Sequence, residues 1–175
     1  MSVSVKEINN IVTLKGNPMT LLGNEVNTGD KAPDFNVVAN DLSAVSLANF
    51  KGKKIIISAV PSLDTPVCDI ETKRFNQEAA KLGKDIVILT ISTDLPFAQK
   101  RWCGTNGVQN IQVLSDHRDT SFGLNYGVLI KGLRILARAI FVVDTGGNVQ
   151  YKQVVSEIAT EPNYNAVLEA VRKIS

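Results

Sequence analysis

Residues 53–69 read KKIIISAVPSLDTPVCD, and this stretch decides the fold. Its first half, residues 53–60, follows two lysines with a largely apolar run rich in β-branched residues, the pattern of a buried strand. Its second half turns at once into a helix start. Thr65 is a good N-cap, and Pro66 suits the first helical position, where its missing N–H is not needed. Cys68 then falls at the third helical position. In a capping box that position carries a glutamate whose charge faces free backbone N–H groups. With a thiol there instead, the helix-end field and donors favour a thiolate. The Thr65 hydroxyl, three residues back, is expected to reach the same sulfur.

On both sides of this stretch the chain keeps an alternating pattern. A helix is expected over residues 66–82, with Val67, Ile70, Phe75, Ala79 and Leu82 near one face and Gly83 as its stop. Residues 85–92 (DIVILTIS) form a second buried strand. A shorter helix opens at Asp94-Leu95-Pro96-Phe97 and ends near Cys103 and Gly104. A brief strand at 111–114 and a helical turn at 121–126 follow. Strands at 138–144 and 149–155 are joined by the hairpin turn Thr145-Gly146-Gly147-Asn148, and an amphipathic helix at 164–174 closes the chain. Upstream, alternation over residues 3–22 around Gly16-Asn17-Pro18 predicts a β-hairpin. A turn-rich connector at 29–33 leads to short strands at 35–38 and 45–47. The order β-α-β-α-β-β-α describes an α/β chain of thioredoxin-like fold: a mixed central sheet flanked by helices. The N-terminal hairpin, about residues 1–22, is an extension, and residues 1–175 form one domain.

Composition narrows the chemistry. A length of 175 residues suits one domain, and 44% hydrophobic content is enough for an unstapled core. The 19 basic and 17 acidic residues leave a net charge of +2, which gives no reason to expect nucleic acid or an anionic membrane as partner. No apolar run approaches a membrane span, and the first residues lack the pattern of a signal peptide. The default is a cytoplasmic protein, whose cysteines rest as thiols and form only transient disulfides. One histidine, His117, and two cysteines fall short of the four ligands of a zinc site, so neither metal nor cofactor is expected. His117 lies in the polar run Ser115-Asp116-His117-Arg118-Asp119 and reads as a solvated loop residue rather than a catalytic base.

Taken alone, Cys68 could be a small buried hydrophobe, as most free cysteines are. A capped first turn directly after a strand end argues otherwise, because ligands of α/β sheets bind at strand ends. Ionisation alone has limited power. A thiol of pKa about 8.5 is already a few per cent ionised at pH 7, so a lower pKa gains roughly 30-fold at most. Any faster chemistry at this sulfur needs donors aimed at the charge that develops in the transition state. Arg138, at the mouth of the apolar strand in Ile135-Leu136-Ala137-Arg138-Ala139-Ile140-Phe141, is the candidate; alone it could equally be a strand-end ion pair. Arg134, Arg101 and Arg74 are weaker rivals. Cys103 follows Cys68 by 35 residues, which excludes a C-x-x-C motif. It is the only other thiol and could resolve an oxidised Cys68 within the subunit, act across a dimer, or be inert.

The chain resembles the thiol peroxidases of the atypical two-cysteine peroxiredoxin family. The likeness runs over nearly its whole length and is carried by PSLDTPVCD, FAQKRWCG and LARAIFVVD. It implies that Cys68 is the peroxidatic nucleophile and Cys103 the resolving thiol, joined in an intrasubunit disulfide. Arg138 and Thr65 would hold thiolate and peroxide, and Pro61 would shield the sulfenate. It also implies a hydroperoxide substrate, thioredoxin as reductant and a homodimer. The segment 123–134 would shape the substrate mouth or the dimer contact. Leu63, Pro66 and Val67 give Cys68 an apolar approach that fits an alkyl chain. An alternative reading is a redox-sensing binding protein that uses the same cysteine pair as a switch; a non-catalytic scaffold is a third.

Overall fold

A computed structural model describes residues 4–175. The apolar run identified above is strand β5 (Lys54–Ala59) of a seven-stranded sheet. The other strands are β3 (Asn36–Val38), β4 (Ala44–Ser46), β6 (Ile86–Ser92), β7 (Gln112–Ser115), β9 (Ala139–Val143) and β10 (Val149–Val154). Their order is β10-β9-β5-β6-β7-β3-β4. The strands β5, β6 and β7 run parallel, and β9 lies antiparallel to β5. This is the mixed sheet of a thioredoxin-like fold.

The pleat of β5 sorts its side chains between two layers, because successive residues face opposite sides. Ile55, Ile57 and Ala59 join the larger core, with Phe141, Phe122 and Tyr126. Ile56 joins the smaller core on the other face, under helices α1 (Pro66–Ala79) and α4 (Tyr164–Arg172). Tyr164, Val167, Leu168 and Val171 of α4 are buried at helical spacing. Tyr164 meets Phe75 of α1 edge to face at 5.4 Å between centroids. Asn163 caps α4 by accepting from Ala166 N–H at 3.1 Å.

The hairpin consists of β1 (Glu7–Leu14) and β2 (Asn17–Leu22). The expected first residue of its pattern, Val3, lies outside the described residues. A short strand that periodicity missed, β8 (Leu129–Ile130), pairs with β2 and makes a separate three-stranded sheet. The segment 123–134 thus goes largely into the core. Only residues 131–134 emerge, with Leu133 49% exposed. The loop after β10 ties the hairpin turn down. Glu157 accepts from the Thr13 hydroxyl at 2.6 Å and from Lys15 and Gly16 N–H.

Several boundaries differ from expectation. The strand expected at 45–47 is β4 followed by a 3-10 turn, Leu47–Phe50. Helix α1 ends at Ala79, three residues early, and Ile70, expected inward, is 52% exposed. Its buried face is instead Cys68, Glu71, Thr72 and Phe75. Helix α2 (Pro96–Asn106) runs two residues past Gly104, near which its end was expected. Gly104 is simply helical; the stop is Gly107, whose φ of +64° is the left-handed conformation that glycine adopts without strain.

Candidate active site

Three elements converge at the C-terminal end of β5. The chain leaves β5 through Val60 and Pro61, both buried, and enters α1 with Cys68 in its first turn. Strand β9 pairs Ala139 with Ala59, which sets Arg138 beside the start of that loop. The alternation that sends Ile140 and Val142 toward α1 sends Arg138 there too. Helix α2 supplies Trp102 and Cys103, which border one apolar cluster with Val60, Leu63 and Cys68.

Cys68 is completely buried. Arg138 Nη2 donates to its Sγ across 3.3 Å. A guanidinium has no acceptor, so the sulfur is the accepting partner. Arg138 is itself 2% exposed and held on two further sides. Its Nε donates to the Ile158 carbonyl at 2.9 Å, and its Nη1 pairs with Glu71 Oε2. The other oxygen of Glu71 accepts from the Ser58 hydroxyl at 2.8 Å. Burial pushes the Glu71 carboxyl above the usual carboxylate range, and the Arg138 charge and the Ser58 hydrogen bond counter it. For Arg138, burial works against the cation, but the charges of Glu71 and Cys68 outweigh it and keep it protonated.

Glu71 is the residue that sequence reasoning missed. It stands one helical turn after Cys68 and so shares its buried face. A glutamate three residues beyond a first-turn cysteine, facing a buried sheet, was the available signal.

Thr65 departs from expectation in one respect. It occupies the N-cap with extended backbone, φ −120° and ψ 148°, but its side chain caps nothing. Its hydroxyl donates to the Ser62 carbonyl at 2.9 Å, so its one proton is committed there and not to Cys68. The first-turn N–H groups of α1 therefore carry no side-chain cap, and Arg138 is the donor that meets the sulfur. Asp94 fixes the loop before Thr65, accepting from the Ser62 hydroxyl at 2.7 Å and from Leu63 N–H at 2.9 Å.

Cys103 is a free, half-buried thiol in the last turn of α2. Burial raises its pKa, with an opposing contribution from the Asn40 side chain. Its carbonyl accepts from both Gly107 and Val108 N–H, the capped end of the helix. Arg74 stacks on Tyr164, its guanidinium 4.1 Å from the ring centroid. Arg134 bonds the Thr120 hydroxyl and Arg101 is exposed, so of the four arginines Arg138 is the one that bonds Cys68. Half-buried His117 is engaged with the Ser115 hydroxyl at 2.9 Å and is less solvated than expected. Leu63 is buried, and it also lines a pocket with Ser62, Asp64, Asp94 and Trp102, whereas Pro66 is exposed.

The family model for redoxins matches residues 27–168. A thiol peroxidase of Bacillus subtilis is 56% identical over 163 residues, 93% of this chain and 97% of that protein. The chain belongs to the redoxin family, among its thiol peroxidases. A thiol peroxidase of Staphylococcus aureus is 54% identical over the same share of this chain and 98% of its own. Among solved structures, a peroxiredoxin-like protein from Aquifex aeolicus superposes with a TM-score of 0.88 at 46% identity, covering 94% of this chain and 98% of that one. A thiol peroxidase from Chromobacterium violaceum has a TM-score of 0.82 at 22% identity, covering 93% and 95%, and shares the fold. This thiol peroxidase relative is thus a thiol-dependent enzyme of the peroxiredoxin type.

Proposed function

We propose that Cys68 is the peroxidatic nucleophile of a thioredoxin-type-dependent peroxidase and that Cys103 resolves it. The observation that carries this reading is the buried guanidinium of Arg138, 3.3 Å from Cys68 Sγ. The thiolate attacks one peroxide oxygen, the O–O bond breaks, and the leaving oxygen departs as water or an alcohol once protonated. Negative charge moves from sulfur to the departing oxygen. A guanidinium within reach of the sulfur, braced by Glu71 and the Ile158 carbonyl, is pre-aligned for both ends of that shift. Pro61, buried where the chain leaves β5, is assigned the shielding of the sulfenate, and Thr65 the entry of α1 through its turn to Ser62.

The sulfenic acid on Cys68 then condenses with the Cys103 thiol, giving a disulfide and water. A dithiol reductant of the thioredoxin type restores both thiols by exchange. A reducing compartment such as the cytoplasm keeps them free at rest. We infer one domain over the described chain. Leu95 and Phe97, 54% and 67% exposed at the start of α2, supply apolar surface for a homodimer.

The reading is tested by following peroxide consumption with thioredoxin, its reductase and NADPH. Steady turnover is expected. One stoichiometric oxidation without turnover would favour a redox sensor, and no oxidation would leave only a scaffold.

A further inference from the structure

Asp69 and Trp102 connect the two halves of the proposed chemistry. Asp69 directly follows Cys68, and Trp102 directly precedes Cys103. The Trp102 indole Nε1–H donates to Asp69 Oδ1 at 3.1 Å, while Lys73 Nζ donates to Asp69 Oδ2 at 2.8 Å. The carboxylate is thereby fixed by a residue on its own helix and offered to the indole of α2. Asp69 N–H also makes the first backbone hydrogen bond of α1, to the Thr65 carbonyl at 2.9 Å. The indole ring packs into the apolar cluster that buries Cys68.

We propose that the Asp69–Trp102 hydrogen bond is a clasp that sets the rate at which Cys103 reaches oxidised Cys68. The inference rests on the resolving role of Cys103. Disulfide geometry needs Cα atoms about 5.5 Å apart. One thiol sits in the first turn of α1 and the other in the last turn of α2, and in the clasp picture both turns shift as the bond forms. The clasp spans those two turns and opposes the shift. It therefore governs a competition. Closure converts Cys68–S–OH and HS–Cys103 into the disulfide and water. The rival step converts Cys68–S–OH and a second hydroperoxide, ROOH, into Cys68–SO₂H and ROH. A tighter clasp leaves the sulfenic acid open to the second peroxide for longer.

Three variants separate the clasp from general packing. Trp102→Phe keeps an aromatic ring and removes the donor. Asp69→Ala removes the acceptor. Asp69→Asn keeps an oxygen acceptor at the same place and is the conservative control. Rapid quenching and mass spectrometry follow disulfide and sulfinic acid after a pulse of hydrogen peroxide. Trp102→Phe and Asp69→Ala are expected to close the disulfide about ten-fold faster, the scale of one charge-assisted hydrogen bond. They should need correspondingly more peroxide for half-conversion to sulfinic acid. Asp69→Asn should stay nearer the parent. Closure rates within two-fold of the parent in both Trp102→Phe and Asp69→Ala would overturn the clasp while leaving the 68–103 disulfide intact. No disulfide in the parent would overturn the resolving role as well. The unmodified protein gives a second test, because its single tryptophan yields one indole N–H resonance. That proton should exchange slowly in the reduced form and rapidly in the disulfide form; equal protection in both would overturn the proposal.

Discussion

Glu71 meets Arg138 where neither side chain reaches solvent, the carboxylate 0% and the guanidinium 2% exposed. A buried pair of this kind is not strong evidence for stability, since desolvation offsets much of its attraction. Its effect here is directional. Glu71 and the Ile158 carbonyl take two of the guanidinium's edges, and the remaining nitrogen is turned to Cys68. Glu71→Ala leaves a buried cation unpaired and is expected to cost about 3–5 kcal/mol in denaturant unfolding. Glu71→Gln keeps the shape and loses the charge. It is expected to slow oxidation of Cys68 about 10- to 100-fold in stopped flow, the scale of a hydrogen bond to a charged group. An unchanged rate would mean that Arg138 keeps its aim without Glu71.

Arg138→Ala tests the other end of the same contact. Ionisation of a thiol is worth roughly 30-fold at pH 7. If Arg138 also stabilises the departing oxygen, the loss in the rate of attack must exceed that figure, and raising the pH must fail to recover it. A loss of only a few-fold would remove Arg138 from the chemistry.

This pair also marks where the sequence was legible and where it was not. The strand at 53–60, its turn into a helix and the positions of Cys68, Cys103 and Arg138 were readable, because apolar runs and cap residues are local signals. The buried face of α1 was not. Its inward residues are Cys68, Glu71 and Thr72 before Phe75, so apolar periodicity chose Ile70, which faces solvent. Glu71 is buried there with its two oxygens answered by Ser58 of β5 and by Arg138, 67 residues away in the chain. The Thr65 hydroxyl was misdirected for a related reason. A threonine at an N-cap can bond forward to the helix or back to a turn, and here the Ser62 carbonyl takes its proton. Strand β8 has two residues, too few for any period to show.

Acid should loosen the hairpin before the sheet. Hydrogen bonds from the Thr13 hydroxyl and from Gly16, Lys15 and Ala159 N–H hold the Glu157 carboxyl down at about 2, against an ordinary value of 4.5. A depressed carboxyl contributes stability that is present above its unfolded value and lost as pH falls toward its folded one. Amide protection of residues 13–16 is therefore expected to decline between about pH 4.5 and 2. Glu157→Gln should show lower protection at neutral pH and converge with the parent in acid. Identical pH profiles for the two proteins would show that the carboxylate is not the anchor.

Disulfide formation should be visible in the backbone. Cys68 lies in the first turn of α1, and the Cys103 carbonyl holds the last turn of α2 through Gly107 and Val108. Hydrogen exchange is expected to rise in residues 65–70 and 102–106 on going from dithiol to disulfide. Unchanged protection in both would mean that the thiols bond without local unwinding.

The division of labour between the two cysteines is tested most directly by single-turnover fluorescence of Trp102, the neighbour of Cys103 and the chain's one tryptophan. Reduced protein is mixed with one equivalent of hydrogen peroxide, and the same is done with Cys103→Ser and Cys68→Ser. The parent should show a distinct fluorescence change as the disulfide closes, reversed by thioredoxin. Cys103→Ser should lose that phase and accumulate a sulfenic acid on Cys68 that a dimedone-type reagent traps. Cys68→Ser should show neither. A full slow phase in Cys103→Ser, or trapped sulfenic acid on Cys103 of the Cys68→Ser protein at the parent's rate, would contradict the assignment.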